Sequence, residues 1–257
     1  MLERLDKYLV EAGIASRSKV KELIKKGRIS VNDNNKVKAE LKINTETDIV
    51  KFDGREVLLE EFEYFMLNKP AGIISASMDK KAKTVVDLIT DKTRHDLFPI
   101  GRLDKDTHGL LIISNDGDLA HRLLSPKKHV SKTYFVKARG HIGNEAIKLF
   151  NDGLVVDEEL TAKPATLKIL NTAHETINYI DENSRQECQY SGEVTYCEVT
   201  IKEGKYHQIK RMFKAIDSEV LYLKRLSMGN LKLDESLDEG QYRPLTQKEL
   251  KDLQENF

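Results

Sequence analysis

The sequence predicts an α+β chain in two parts, a small front domain over residues 1–60 and a larger domain over residues 61–257. Three observations carry that expectation. At 257 residues the chain is long for one domain of ordinary size. Apolar periods of helix and strand type follow one another irregularly, without the alternation of βαβ units. An acidic join, Glu60 to Glu63, stands between a charged front part and the apolar run Tyr64-Phe65-Met66-Leu67.

The front part reads as two short helices and a few strands. Leu5, Leu9 and Val10 set one apolar helical face, and Gly13 ends that helix. Ser16 is the expected N-cap of a second helix from Arg17 to Lys26, which Gly27 stops. Arg28 to Asn32 alternates as a strand, Asn32 to Asn35 reads as a turn, and Asp48 to Phe52 followed by Asp53-Gly54 gives another strand and turn. Arg4, Lys7, Arg17, Lys19, Lys21, Lys25, Lys26 and Arg28 crowd the helical pair, opposed there mainly by Asp6, Glu11 and Glu22. A local basic face is expected, and such a face is ordinarily just a solvated surface.

Beyond the join, strands are expected near 64–67, at Leu110 to Ile113, Lys132 to Ala138, Ala165 to Leu170, Val194 to Ile201 and Leu231 to Leu233. Helices are expected from Thr84 to Thr90, from Gly117 through Leu124, from Gly143 to Asn151 and from His207 to Ala215. The polar stretch from Thr172 to Gly192 keeps no period and reads as an extended hairpin tip or a mobile insertion, with a turn at Ser191-Gly192.

Composition narrows the class of function. Lys plus Arg and Asp plus Glu number 42 each, so a general attraction to nucleic acid is absent and any RNA binding rests on local patches. No run of about eighteen apolar residues exists, so no membrane is expected as partner and a soluble, cytoplasmic protein is. Cys188 and Cys197 are too few and too isolated for a zinc site or a disulfide framework, and reduced thiols are expected.

The stretch from Gly101 to Gly117 carries most of the chemical information, because a charged, turn-rich half runs directly into an apolar strand. Gly109 before Leu110 and Asn115-Asp116-Gly117 after Ile113 fix both ends, and that frame holds Asp104 still. Asp104, Asp106 and Gly109 match the first, third and sixth positions of an EF-hand loop. His108 and Asn115 then stand where the fifth and twelfth ligands belong, so no metal is expected.

The same stretch resembles the signature of the RsuA branch of the pseudouridine synthases: Gly-Arg-Leu-Asp, two residues, Thr, one residue, Gly-Leu-Leu, then Asn-Asp-Gly. Lys69-Pro70-Ala71-Gly72, Lys132-Thr133-Tyr134 and Glu203 to Met212 resemble three further motifs of that family, in its order. Leu226 to Leu233 and Tyr242-Arg243-Pro244-Leu245 resemble its closing segment, so the likeness covers nearly the whole chain. Ser16-Arg17-Ser18, Ile24, Gly27, Ile29 and Val31-Asn32 resemble the S4 RNA-binding domain. The resemblance implies a mainly antiparallel catalytic sheet of pseudouridine synthase type behind an S4-like domain. Arg4, Lys7, Arg17, Lys19, Lys25 and Arg28 of the front domain would then grip phosphates.

Such an enzyme breaks the bond between ribose C1' and uracil N1, turns the base and joins C5 to C1', with no cofactor. By resemblance Asp104 is the carboxylate at the sugar, acting either as a nucleophile on C1' or as the base that takes a 2' proton. A buried carboxylate needs a cation, which the resemblance assigns to Lys210. Ile209 would wall the base and Tyr134 would lie against it with its hydroxyl as proton acceptor or relay. Arg102 resembles the residue that fills the space of a flipped nucleotide, while His207 is expected to contact substrate or pack at a helix start. Lys69-Pro70 is expected to buttress the catalytic loop, and His108, Asp106 and Asp116 to shape loops. A lone Asp in a turn or a lone Tyr in a strand is ordinarily structural, and the ordered set is what points to chemistry.

Tyr206 to Met212 resembles the version of the motif found in enzymes of the small subunit, so a uridine of 16S ribosomal RNA within a small-subunit assembly intermediate is the expected substrate of a monomeric enzyme. The alternatives are the same reaction on 23S RNA, or a noncatalytic RNA-binding factor of ribosome assembly.

Overall fold

The structure, a computed structural model, describes residues 2–58, 62–181, 184 and 186–255. The chain divides into two compact units, residues 1–63 with 89–98, and residues 64–88 with 99–257.

In the first unit β1 (Leu2–Arg4) leads into α1 (Leu5–Glu11) and α2 (Arg17–Lys25), followed by β2 (Ile29–Val31), β3 (Lys42–Asn44), β4 (Val50–Phe52) and β5 (Arg55–Glu56). β1 pairs antiparallel with β3, and β2, β4 and β5 make a three-stranded sheet. Leu5, Leu9, Val20, Ile29 and Ile43 are wholly buried, so the apolar helical face read from the sequence is the core of this unit. Asp53 and Gly54 both take positive φ, 50° and 79°, the conformation that a tight hairpin turn between β4 and β5 requires. Ser16 does stand at the N-cap of α2, yet its side chain makes no capping bond.

Residues 89–98, expected in the second domain, belong to the first unit. The reason is Glu63, which is buried and accepts hydrogen bonds from the backbone N–H of Thr93 (3.0 Å) and of Arg94 (2.9 Å). Arg94 in turn donates to Glu11 Oε2 at 3.3 Å. Glu63 is thus a fixed anchor where the sequence read a loose acidic join; Glu60 and Glu61 of that join, and with them the expected boundary, lie outside the described residues.

The second unit is built on a nine-stranded sheet. Its strands are β6 (Tyr64–Lys69), β7 (Phe98–Ile100), β8 (His108–Ser114), β9 (Lys132–Arg139), β12 (Thr166–Ile180), β13 (Glu187–Ile201), β14 (Val220–Met228), β15 (Leu231–Lys232) and β16 (Tyr242–Pro244). The main path runs β12, β13, β9, β14, β8, β6, β16, and only the β14–β8 pairing is parallel. β10 (Leu154–Val155) and β11 (Thr161–Ala162) form a separate ribbon. The helices are α3 (Gly117–Leu124), α4 (Glu145–Asp152), α5 (Gln208–Lys214) and α6 (Gln247–Glu255).

Burial follows position in the sheet. β8 is buried from Gly109 to Ser114, which explains its unbroken apolar run. β9 alternates, with Tyr134, Val136 and Ala138 turned inward and Phe135, Lys137 and Arg139 half-exposed among the rings of Tyr196, Tyr222 and Tyr190. Asp116, read as a loop-shaping group, caps α3 by accepting from the N–H of Leu119 at 2.8 Å.

Two expectations fail locally. Thr84 to Thr90 makes only a 3-10 turn at Val86–Leu88: Thr84 and Asp87 bond each other as at a helix start, but Val85 N–H donates to Ile74 O at 3.0 Å and the chain passes into the first unit at Ile89, so no further turn of helix forms. Ser191 and Gly192 lie inside β13 opposite Thr176 and Glu175 instead of in a turn, while the stretch from Thr172 to Gly192 does form the extended hairpin. The hairpin reverses between Ile180 and Glu187, and both cysteines are free on β13.

Candidate active site

Asp104 sits on the loop between β7 and β8, and its neighbours' backbone carbonyls are held one by one. Ser75 Oγ donates to Leu103 O (2.8 Å) and accepts from Leu103 N–H (3.1 Å). The N–H of Thr107 donates to Asp104 O at 3.0 Å and that of Gly72 to Lys105 O at 2.8 Å. Lys69, wholly buried, reaches under the loop and donates to Pro70 O (3.0 Å), Lys105 O (3.2 Å) and Thr107 O (2.9 Å). Burial pushes the Lys69 ammonium down to about 8, partly offset by Asp106 and Asp104. The expected buttress is therefore present and made of identifiable bonds.

A cavity of about 800 Å³ opens beside this loop, a size suited to a nucleotide-scale ligand. Arg102, Asp104, Tyr134, His207, Ile209 and Lys210 all line it, although they come from the loop, β9 and the start of α5. The motif from Glu203 builds its own turn: Gln208 accepts from Lys205 N–H (3.0 Å) and donates to Glu203 Oε1 (2.7 Å). His207 takes a left-handed conformation, φ 47°, at the entry to α5 and stacks on exposed Tyr206 with ring centroids 3.8 Å apart.

Two charged contacts join the start of α5 to the Asp104 loop. Lys210 Nζ donates to Asp106 Oδ2 at 2.6 Å, while His207 Nε2 lies 3.5 Å from Asp104 Oδ1. Both contacts come from the start of α5, so Lys210 and His207 tie that helix to the Asp104 loop. Asp106 is thus more than a loop-shaping group.

Sequence reasoning missed three parts of the cavity. Arg225, 2 % exposed, lies on its wall and donates from Nε to Leu110 O at 2.7 Å. Its signal was parity: Leu221, Leu223 and Arg225 occupy the inward positions of β14. Lys132, half-buried in the same wall, is pushed down to about 8 by burial and then by Arg225. Exposed Arg102, Lys105, Lys163, Lys202 and Lys205 ring the mouth, a basic patch hidden by the balanced net charge.

The front-domain candidates fall in the first unit and are more heavily paired than the sequence implied. Asp6, fully buried and held down to about 2, takes both Arg4 (2.9 Å) and Arg17 (3.3 Å). Lys7 meets Glu3 (2.6 Å) and Glu11 (3.3 Å), Lys19 meets Glu22 (2.9 Å), and Arg28 meets Asp53 (2.8 Å). Glu3 and Asp53 were not counted among the opposing charges. Lys25 is exposed and in no ion pair among the described residues.

Comparison with known proteins decides the family. Residues 63–215 match the RNA pseudouridylate synthase family and residues 3–46 match the S4 domain. The chain is 39% identical to a Bacillus subtilis protein named ribosomal large subunit pseudouridine synthase B, over 98% of this chain and 96% of the relative. This chain belongs to the RNA pseudouridine synthases. It is also 37% identical to a Vibrio vulnificus protein named ribosomal small subunit pseudouridine synthase A, over 96% of this chain and 97% of that one. A crystal structure of a pseudouridylate synthase matches 97% of this chain with a TM-score of 0.62 and 34% identity. As a member of the family the chain is an RNA-acting isomerase with an S4 domain preceding a mixed, mostly antiparallel catalytic sheet.

Proposed function

We propose that this pseudouridine synthase acts in the cytoplasm, as a monomer, on one uridine of 16S ribosomal RNA in a small-subunit assembly intermediate. The supporting observation is convergence: Arg102, Asp104, Tyr134, His207, Ile209 and Lys210, spread over the sequence from 102 to 210, line one cavity. Asp104 acts at the sugar, as nucleophile on C1' or as base at the 2' position, from a loop already fixed before RNA arrives, so little reorganisation accompanies the reaction. Tyr134, 7 % exposed, offers its ring to the base and its hydroxyl to the C5 proton; Ile209 supplies an apolar wall. Lys210 is the cation that keeps Asp104 ionised, and its bond to Asp106 fixes the far end of the same loop. A stacked uridine hides C1', so the base is flipped into the cavity, with Arg102 at the mouth taking its place. The cations around the mouth hold flanking phosphates, and the S4 domain, with Arg4, Lys7, Arg17, Lys19, Lys25 and Arg28, anchors a neighbouring RNA helix.

The 16S target rests on the Tyr206 to Met212 motif. The large-subunit relative at 39% identity favours 23S RNA as the second reading. Chemical mapping of pseudouridine in unmodified small-subunit particles and in 23S RNA separates them, with Asp104→Asn run in parallel. One new 16S site, absent with Asp104→Asn while RNA binding persists, is the expected outcome. A site in 23S alone overturns the target. Full turnover by Asp104→Asn overturns the site, and no new site in either RNA raises the noncatalytic binding factor.

A further inference from the structure

Arg225 and Lys132 have no part in the roles given to Asp104, Tyr134 and Lys210, yet both line the same cavity. Arg225 is in register with Tyr134 across β14 and β9, and Lys132 precedes Tyr134 by two residues, so the three side chains leave the sheet on one face. Ile201, in register with Lys132, and Leu223, two residues before Arg225, line the cavity as well. Arg225 Nε is bound to Leu110 O, but its Nη2 is buried with no hydrogen-bond partner among the described residues. Lys132 Nζ donates to Val130 O at 3.1 Å, and neither side chain is in an ion pair among the described residues. A buried arginine with an unused donor beside a half-buried lysine is costly in a low dielectric unless a ligand carries negative charge between them.

We propose that Arg225, assisted by Lys132, forms the subsite for the uracil anion, with Arg225 Nη2 donating to a carbonyl oxygen of the base. This rests on the reading of the cavity given above. When the C1'–N1 bond breaks, its electron pair stays on the ring, and the negative charge spreads from N1 to O2 and O4. C1' is satisfied either by a new bond to the Asp104 carboxylate or by the electron pair of the C2'–H bond, whose proton Asp104 takes. The anion is consumed when C5 bonds to C1', the carboxylate leaving or the proton returning to C2'; the proton lost from C5 is balanced by one gained at N1. Donors placed where charge develops and then disappears accelerate both halves of that sequence. A phosphate is the poorer fit, since Tyr134, Ile201 and Leu223 around the two cations suit a flat ring, and five exposed cations already ring the mouth.

The test compares uridine with 5-fluorouridine at the target position of an rRNA transcript, because fluorine at C5 makes the base a better leaving anion that needs less help. Loss of the parent nucleoside is followed in single turnover at saturating full-length protein. Arg225→Met is expected to slow uridine about 10²–10³-fold and 5-fluorouridine at least about tenfold less. Lys132→Met shifts the two in the same order by a smaller factor, and it carries the test if circular dichroism shows Arg225→Met unfolded. Arg225→Lys recovers part of the loss. An equal loss for both bases would mean a structural role and overturns the proposal. Weaker, less salt-dependent RNA binding with an unchanged saturated rate would mean a phosphate contact and also overturns it. Asp104→Asn reports separately on the underlying reading: activity in that variant sinks the site whatever Arg225 does, and its inactivity with both bases leaves the Arg225 comparison to decide.

Discussion

Replacing Lys69 by Met removes the ammonium that holds the Asp104 loop from below. The side chain is 0 % exposed and donates to the carbonyls of Pro70, Lys105 and Thr107 at 3.0, 3.2 and 2.9 Å. Hydrogen bonds from a charged donor contribute about 1.5–3 kcal/mol each, so three amount to roughly 5–9 kcal/mol before the cost of burying the charge. That cost is visible as the fall of the Lys69 pKa from 10.5 to about 8, equivalent to on the order of 3 kcal/mol. The net loss expected for Lys69→Met at pH 7 is about 2–6 kcal/mol, with three carbonyls left short of a donor. In a unit of this size that lowers its Tm by about 4–24 °C. Because the folded pKa lies below the unfolded one, the unfolded chain holds more protons between about 8 and 10.5, and stability rises with pH there. The difference between wild type and variant is therefore level below pH 8 and widens from pH 8 toward 10.5. Calorimetry of both proteins from pH 7 to 10.5 measures it, and single-turnover isomerisation is expected to fall about 10²-fold as Asp104 loses its position. A Tm shift under about 2 °C, with a difference that stays level in pH, would refute the account of Lys69 as the loop's support.

Gly109→Ala is expected to cost more than about 2 kcal/mol. A Cβ there would lie 2.3 Å from Arg225 O and 2.8 Å from Arg225 N at a φ of +98°, forcing β8 and β14 apart. A urea midpoint equal to wild type would contradict that close approach. Cys197 is wholly buried and its thiol is pushed up to about 11 by burial, so a thiol reagent at pH 8 should label Cys188 alone until denaturant is added. A native intramolecular disulfide is not expected, since the two cysteines are nine positions apart on one extended strand, about 30 Å. Efficient oxidative cross-linking within the folded chain would show that β13 does not run as described.

The sequence by itself carried much of both the fold and the site. The continuous apolar run of β8, the Asn-Asp-Gly start of α3 and the helical face of α1 were readable because each is a local pattern with a local cause: period, cap or turn. The positions of Asp104, Tyr134 and Lys210 were readable through four ordered motifs, and all three line one cavity. Errors arose where a distant or side-chain contact overrode local preference. Thr84 to Thr90 reads as a helix, but the bond of Val85 to Ile74 and the passage into the first unit at Ile89 end it after one turn. The hairpin over Thr172 to Gly192 was legible, but the turn read at Ser191-Gly192 was misplaced, because pairing with Thr176 and Glu175, invisible in composition, carries β13 through both residues.

Tertiary structure alone decided which charges meet. Lys210 and His207 lie far along the chain from Asp104 and Asp106, and only the packing of α5 against the loop brings Lys210 to Asp106 and His207 within 3.5 Å of Asp104. Glu63 looked like part of a linker until the N–H groups of Thr93 and Arg94, thirty residues on, were found bonded to it. Arg225 gains its place in the cavity wall only because β14 lies between β8 and β9, with Leu110 and Tyr134 on either side. A sequence states which side chain is present and on which face of its own element it lies. The partner that gives a charge its pKa and its role is fixed only when separate elements pack together, since electrostatic energy depends on distances that chain spacing does not determine.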